Sequence, residues 1–426
     1  MTISQILSIA NIAIGALFML CYSYQVVYII VSFFKKSKVY PESEVKHRFA
    51  FVVSARNEEN VIGQLCDCIR LQDYPRELID IHVVADNCTD STAKVAEAHG
   101  AIVYERFNEK LIGKGYAMTE LFAHIKSTVG YDAYDGYIVV DADNILEPDY
   151  VKEMNNCFSD GNRLIIGYRN SKNYGDNWIS AGYALWFMRE SRQLNSVRGN
   201  LGVSCEIKGT GFLVHKDIIK RQDGWAQHLL IEDVQFTVDN VLMGEKVAYC
   251  DKAILYDEQP KSFKVSWRQR RRWCRGYIQI LKRYSGKLLK AFFTGKGFSN
   301  YDMMMAMSPA FFISLAAVII NAAAIVGILI FETAAFGDAM LSVALMMLGS
   351  YLLFAIPVAL FTVISEWKRI HASTFKKIMS VITFPIFMAT YIPIAAASLF
   401  GKVEWKPIKH NPVGDDSEVK MPDNKG

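Results

Sequence analysis

At 426 residues and 51% hydrophobic content the chain is too long for one ordinary core, and its average composition fits a soluble domain joined to a few membrane spans. A formal net charge of +4, gathered beside apolar stretches, gives no support to nucleic-acid binding. Eight cysteines with no second pair at zinc spacing read as buried thiols of a reducing compartment, which excludes a disulphide framework.

Residues Ile3–Phe34, Met303–Phe331, Ala339–Ser365 and Ile378–Gly401 carry no Asp, Glu, Lys, Arg or His. Each exceeds the about 20 residues a helix needs to cross hydrocarbon. The first lacks the basic start of a cleaved signal and runs into Lys35-Lys36, so residues 1–36 read as an anchor. Lysines at 35, 36 and 38 and the Arg/Lys run near 270 place the intervening segment in the cytoplasm.

Residues 37–260 alternate short β-rich runs with helical periodicity, predicting a mainly parallel sheet covered by helices. The predicted elements are strand Phe49–Ser54, helix Glu59–Leu71, strand Ile79–Ala85, helix Ser91–His99 closed by Gly100, and strand Ile102–Tyr104. Helix Tyr116–Ile125 and strand Tyr137–Val140 follow, with Pro148 opening a further helix. That last strand runs into Asp141-Ala-Asp143, at the sheet edge where α/β ligands bind. Two carboxylates two apart in a strand share a face and can hold a divalent cation against a diphosphate; a solvated turn is the bland alternative.

Glu232-Asp233 opens a helix running through Val241, where acidic residues are favoured by the helix dipole. The functional alternative makes Asp233 the acceptor of a hydroxyl proton. Residues 261–300 read as amphipathic interfacial helices, with Trp273, Tyr277, Ile280, Leu281, Tyr284 and Leu288 along one stripe. Within them Gln269-Arg-Arg-Arg-Trp273 offers guanidinium forks for phosphate and a flat ring for a sugar, or else a basic patch for anionic lipid. Pro385 and Pro393 interrupt the last apolar stretch of the 301–402 region, so part of it is expected to be re-entrant or interfacial. Residues 403–426 form a polar tail, expected to be cytoplasmic and disordered from about His410.

In this order these motifs resemble the processive inverting family-2 glycosyltransferases, the group of cellulose, hyaluronan, chitin and poly-N-acetylglucosamine synthases. Val53–Glu58 is similar to their opening strand and loop, Val84–Asp90 to their nucleotide-binding Asp motif, and Asp141-Ala-Asp143 to their metal motif. Ile231-Glu-Asp233 stands for Thr-Glu-Asp, Gln269–Trp273 for Gln-x-x-Arg-Trp, and Val403–His410 for the Trp-containing segment after the last span. The resemblance implies a Rossmann-like α/β catalytic domain of the GT-A type plus transmembrane helices, in an integral plasma-membrane protein. It implies that Asn57, Glu58, Asp86, Lys114, Asp141, Gln269, Arg272 and Trp273 contact the nucleotide-sugar. Asp143, with Asp141, would hold Mg²⁺ or Mn²⁺, and Asp233 would be the general base. Gly209, Thr210, Gly211, Glu232 and Trp273 would meet the acceptor, although Gly209–Phe212 departs from the Phe-Phe-Cys-Gly of cellulose synthases. The expected activity is polymerisation of a UDP-sugar, UDP-glucose first and UDP-N-acetylglucosamine second, with the growing polysaccharide and membrane lipid as partners. Single transfer to a lipid phosphate carrier is the runner-up.

Overall fold

The computed structural model describes residues 2–295, 297–307, 309–331, 336–403, 408, 410 and 412. Helix α1 (Ile3–Phe34) is opened by a reciprocal cap between Thr2 and Gln5. The α/β region follows as β1 (Phe49–Ala55), α2 (Ile62–Arg70), β2 (Ile79–Asp86), α3 (Thr92–Ala98), β3 (Ile102–Arg106), α4 (Lys114–Thr128), β4 (Gly136–Asp141), β5 (Ile145–Leu146) and α5 (Tyr150–Ser159). It continues through β6 (Leu164–Ser171), α6 (Trp178–Arg189), α7 (Ser196–Leu201), β7 (Phe212–His215), α8 (Lys216–Gln222), α9 (Glu232–Leu242) and β8 (Val247–Asp257). The last helices are α10 (Phe263–Phe293), α11 (Ser299–Ala306), α12 (Pro309–Phe331), α13 (Phe336–Ser365), α14 (Thr374–Ala389) and α15 (Tyr391–Ser398). Pro148 lies ahead of α5 and outside its first turn, because Asp149 takes the cap position.

All eight strands join one sheet in the order β3-β2-β1-β4-β7-β6-β8-β5. The β3-β2-β1-β4 half is parallel, whereas β7 enters antiparallel between β4 and β6, so the expected mainly parallel sheet is mixed. Along β1 every residue from Phe49 to Val53 is fully buried, because both faces are covered. Ala50 and Val52 face a core with α4, while Phe49, Phe51 and Val53 face one with α2 and α5. The chain leaves β1 towards β2 on one side and β4 lies on the other, which opens a crevice at the carboxyl ends of these strands.

Among the described residues, four helical stretches are long and apolar enough to cross a membrane: Ile3–Phe34, Phe312–Phe331, Phe336–Ser365 and Thr374–Ser398. The apolar stretch from Met303 divides, since α11 ends at Ala306 and Met303 and Met307 pack in a core with α9 and α10. The stretch after Ile378 breaks between Ala389 and Tyr391. Pro393 explains the break, since it has no N–H to offer the Ala389 carbonyl; Pro385 remains inside α14. The apolar stripe of α10 is covered by protein: Ile280, Tyr284 and Leu288 are buried with Ile231, Val234, Val238 and Met303. Of the expected tail only Val403, Ile408, His410 and Pro412 lie among the described residues.

Candidate active site

The crevice is assembled around the end of β4. The Asp141 N–H is shared by Thr210 Oγ1 (2.9 Å) and Asn144 Oδ1 (3.1 Å), and the Thr210 hydroxyl donates to the same Asn144 oxygen. Lys114, the first residue of α4, pairs its ammonium with Asp141 and donates to the Gly209 carbonyl at 2.9 Å. The Gly209 N–H in turn donates to Asp233 Oδ2. Gly209 and Gly211 take φ of +86° and +72°, a left-handed path that lets the 209–211 loop run between both carboxylates. Lys114, Asp141, Gly209, Thr210 and Asp233 thus form one hydrogen-bonded chain although they come from four separate stretches of sequence.

Asp143 does not share a strand face with Asp141. Strand β4 ends at Asp141, and Asp143 lies in the turn before β5, so the two-residue pleat argument does not reach it. Its carboxylate is nearly buried and accepts from the Glu258 N–H (3.2 Å) and Asn144 Nδ2 (3.4 Å). Asn144 is held by Asp257 at 3.2 Å, and Asp257 by Arg169 and by Gln259 at 2.9 Å. The sequence reading missed His410, which it left at the start of a disordered tail. Its Nδ1 lies 3.0 Å from Glu58 Oε2 and its Nε2 4.0 Å from Asp143 Oδ2, so His410 reaches the site. Its only sequence signal is its position at the end of the Val403–His410 segment.

Charge in the crevice is unequal. Burial works against the Lys114 ammonium, but Asp141, Glu232 and Asp233 outweigh it and hold its pKa above the usual lysine value. Burial, reinforced by the Asp233 charge, pushes Glu232 up to about 7, with Lys114 and Arg272 pulling the other way. Burial also raises Glu58 against the pull of His410. His410 itself is disfavoured as a cation by burial, yet Asp143 and Glu58 bring it to about 10.

Two arms of the motif at 269–273 behave differently. Arg272 donates to the Leu230 carbonyl at 3.1 Å, ahead of α9, and Trp273 sets its ring edge-on to Tyr183 (5.7 Å) and Phe187 (6.2 Å). Arg270 is fully buried among Tyr183, Phe387 and Tyr391, where it donates to Thr390 Oγ1 (2.7 Å) at the break between α14 and α15. Arg271 and Arg275 donate to the carbonyls of Ala397, Ser398, Leu399 and Phe400. These arginines bind carbonyls at helix ends, a use of the basic run within the protein itself. Gln269 Oε1 is buried with no hydrogen-bond partner.

Two residues expected to contact the donor lie at the ends of β1 and β2. Asp86, almost fully buried, is taken by Arg106, which also donates to the Leu111 carbonyl at 2.7 Å. Asn57, at φ +58°, accepts from the Thr89 N–H at 2.8 Å and ties the loop after β1 to the loop after β2. Among the described residues no three His, Cys, Asp or Glu side chains converge closely enough to hold an ion by themselves.

Residues 47–276 match the sequence profile of the family described as "Glycosyltransferase like family 2". The chain belongs to this glycosyltransferase family. It is 26% identical over 267 residues to a probable glycosyltransferase, YdaM, of Bacillus subtilis, covering 57% of this chain and 58% of that one. It is 24% identical over 236 residues to a β-monoglucosyldiacylglycerol synthase of Synechocystis, covering 54% and 47%. A poly-β-1,6-N-acetyl-D-glucosamine synthase of Staphylococcus epidermidis is 22% identical over 281 residues, covering 61% and 63%. The chain therefore spans about half to two thirds of the length of these curated relatives. In fold it is similar to a mannosyltransferase of Pyrobaculum calidifontis solved with GDP-mannose and Mn²⁺, with a TM-score of 0.57 at 15% identity over 92% of this chain and 97% of that one. The expected GT-A α/β domain with apolar helices beside it is the architecture of this glycosyltransferase.

Proposed function

We propose that this glycosyltransferase moves a sugar from a UDP donor, UDP-glucose first, onto the end of a growing β-glycan at the cytoplasmic face of a membrane. One observation supports the reading: the hydrogen-bonded chain Asp141–Lys114–Gly209–Asp233 ties the two carboxylates together, as a donor-binding Asp141 and a proton-accepting Asp233 would require. In this reading the acceptor hydroxyl attacks the anomeric carbon, Asp233 takes its proton, and UDP leaves from the opposite face with inversion. The Gly209 N–H holds Oδ2, leaving Oδ1 for that proton. Glu232, poised near 7, keeps a second carboxylate beside the base from adding full charge.

Asp143, with Asp141, would hold Mg²⁺ or Mn²⁺, and the hard carboxylate oxygens here suit such an ion. The ion would neutralise the departing diphosphate. Because no three such side chains converge among the described residues, the remaining ligands would come from the donor and water. Lys114 adds the fixed positive charge, and Arg272 and Gln269 would face the diphosphate from α10. Trp273, backed by Tyr183 and Phe187, would stack on the acceptor sugar.

The named glucosyl product of the Synechocystis relative supports glucose as donor sugar, and the polymer named for the Staphylococcus relative supports chain growth. The same Synechocystis relative favours a second reading, a single glucose placed on a lipid acceptor. Incubating purified protein separately with UDP-glucose and UDP-N-acetylglucosamine, then digesting the product with linkage-specific hydrolases, tests the proposal. Glucose recovered in a β-glucanase-sensitive polymer is the expected result; incorporation of N-acetylglucosamine alone would replace the donor, and a glycosyl lipid alone would replace the polymer.

A further inference from the structure

Helix α10 has an outer face that neither the crevice nor the core uses. Its buried stripe, Ile280, Tyr284 and Leu288, packs on α9 and Met303. A second stripe runs through Arg271, Arg275, Ile278, Lys282, Leu289 and Phe293, whose steps of three, four and seven residues set them in one line along the helix. The first part of that line is occupied, because Arg271 and Arg275 donate to the carbonyls of residues 397–400 where α15 ends. The second part is bare: Lys282 is exposed, Leu289 is 42% exposed and Phe293 76%.

Arg283, Lys287 and Lys290 form an exposed row along one flank of this bare part. No Asp or Glu occurs between Glu258 and Asp302, and among the described residues none of the four cations pairs with a carboxylate. Like charges three and four residues apart on a helix repel, so the row is a cost to the isolated chain that an external anion relieves. What holds α10 at either end sets the level of this face. Arg271 and Arg275 tie it to the end of the last long apolar stretch. Towards its other end Phe292 meets Tyr301 of α11 (5.2 Å), the Tyr301 hydroxyl donates to the Cys21 carbonyl of α1 (3.0 Å), and Tyr24 of α1 donates to Asp302 (2.9 Å). Tyr24 also packs edge-on to Phe298 (5.4 Å) and Tyr301 (5.8 Å), a gathering of aromatic rings of the kind that sits at headgroup level. Helix α10 therefore runs from the end of the last apolar helix to the carboxyl-terminal half of the first.

We infer that the outer face of α10 from Lys282 to Phe293 binds acidic phospholipid, with Lys282, Arg283, Lys287 and Lys290 meeting headgroup phosphates while Leu289 and Phe293 enter the acyl boundary beside them. The lipid contact thus lies beyond the basic run at 270–275, whose arginines are engaged inside the protein. Charge complementarity selects an acidic headgroup over a zwitterionic one. The inference rests on the membrane placement proposed above and on no choice of donor or acceptor.

The test incubates the full chain in detergent with an equimolar mixture of phosphatidylglycerol and phosphatidylcholine of the same acyl chains, and counts retained lipid by native mass spectrometry. Wild type is expected to prefer phosphatidylglycerol about tenfold in about 0.1 M ammonium acetate and to lose most of that preference in about 1 M, where charge is screened beyond about 3 Å. Combined Lys282→Gln, Lys287→Gln and Lys290→Gln should bring the two lipids level with UDP affinity unchanged, whereas arginine at the same three positions should keep the preference. Should the glutamine variant fold poorly, Lys290→Glu alone makes the same comparison. Equal retention of both lipids by wild type, or a preference that survives the glutamine substitutions, overturns the surface. Capture of polyglutamate without any preference for phosphatidylglycerol would assign the face to an acidic polypeptide and overturn the lipid. A chain that fails to float with liposomes fails the membrane placement itself; one that floats and shows no lipid preference fails the surface alone.

Discussion

Replacing Lys114 by Met keeps the aliphatic stem of the side chain and removes the one ammonium that joins the two halves of the crevice. Its side chain is 17% exposed and that of Asp141 33%, so the pair is neither sealed nor free in solvent. Taking one partner from a fully buried pair costs about 3–5 kcal/mol, and the open third of Asp141 brings the figure to about 2 kcal/mol. On the proposed reading Asp141 then meets the donor diphosphate uncompensated, and about 2 kcal/mol carried over to binding corresponds to roughly thirtyfold weaker affinity. Calorimetric titration of UDP with Mn²⁺ present, beside thermal melting in detergent, reads both effects. A second consequence follows from the same contact: Lys114 holds Glu232 down, so the variant should move that carboxyl above its present value of about 7. A folded Lys114→Met protein that binds UDP within twofold of wild type would refute the reasoning, because the ammonium would then have no part in matching the diphosphate.

Asp143→Asn is expected to abolish divalent-dependent UDP binding, seen as identical titrations with and without EDTA; full activity of wild type in EDTA would remove Asp143 from a metal role. Asp233→Asn should keep UDP affinity and lose turnover by about 10²–10⁴-fold, the usual scale of a missing proton acceptor, whereas an equal loss of UDP binding would assign Asp233 to the donor. Glu232 has a raised pKa, from 4.5 to about 7, so between those values the folded chain holds a proton that the unfolded chain does not. Its contribution to stability is therefore present at low pH and lost as pH rises through 7, with a slope of about 1.4 kcal/mol per pH unit. Glu232→Gln should flatten the melting temperature between pH 5 and 7, and an unchanged profile would contradict the assignment.

How much of this site is legible in the sequence depends on how local the cause is. The strand Tyr137–Val140 ends on Asp141, and the helix from Glu232 begins where the acidic pair stands, because strand burial and helix-end charge act over a few residues. Gly209 is legible only as a loop glycine; its link to both Asp233 and Lys114 needs the fold. Strand β7 inserts antiparallel beside β4 through pairings between Gly136–Val139 and Phe212–His215, a choice that periodicity cannot express. The same holds for Glu58 and His410, 352 residues apart, whose contact no local rule predicts. Composition sees Arg270, Arg271 and Arg275 as a basic patch beside a span. What engages Arg270 is the end of α14, at a break that Pro393 makes visible, and what engages Arg271 and Arg275 is the far end of α15, which no residue of the basic run reveals. Asp143 illustrates the reverse case: the sequence picks out the residue, and the turn that begins one residue earlier gives it neighbours other than those a continued strand would have given.

Product length against time, with limiting protein and UDP-glucose in large excess, tests the central claim most directly. If Trp273 and the crevice beside Asp233 retain the acceptor between transfers, high-molecular-weight β-glucan appears while most donor is still unused, and its size changes little as yield grows. A product that stays a lipid-linked monosaccharide throughout the time course contradicts chain growth at this site.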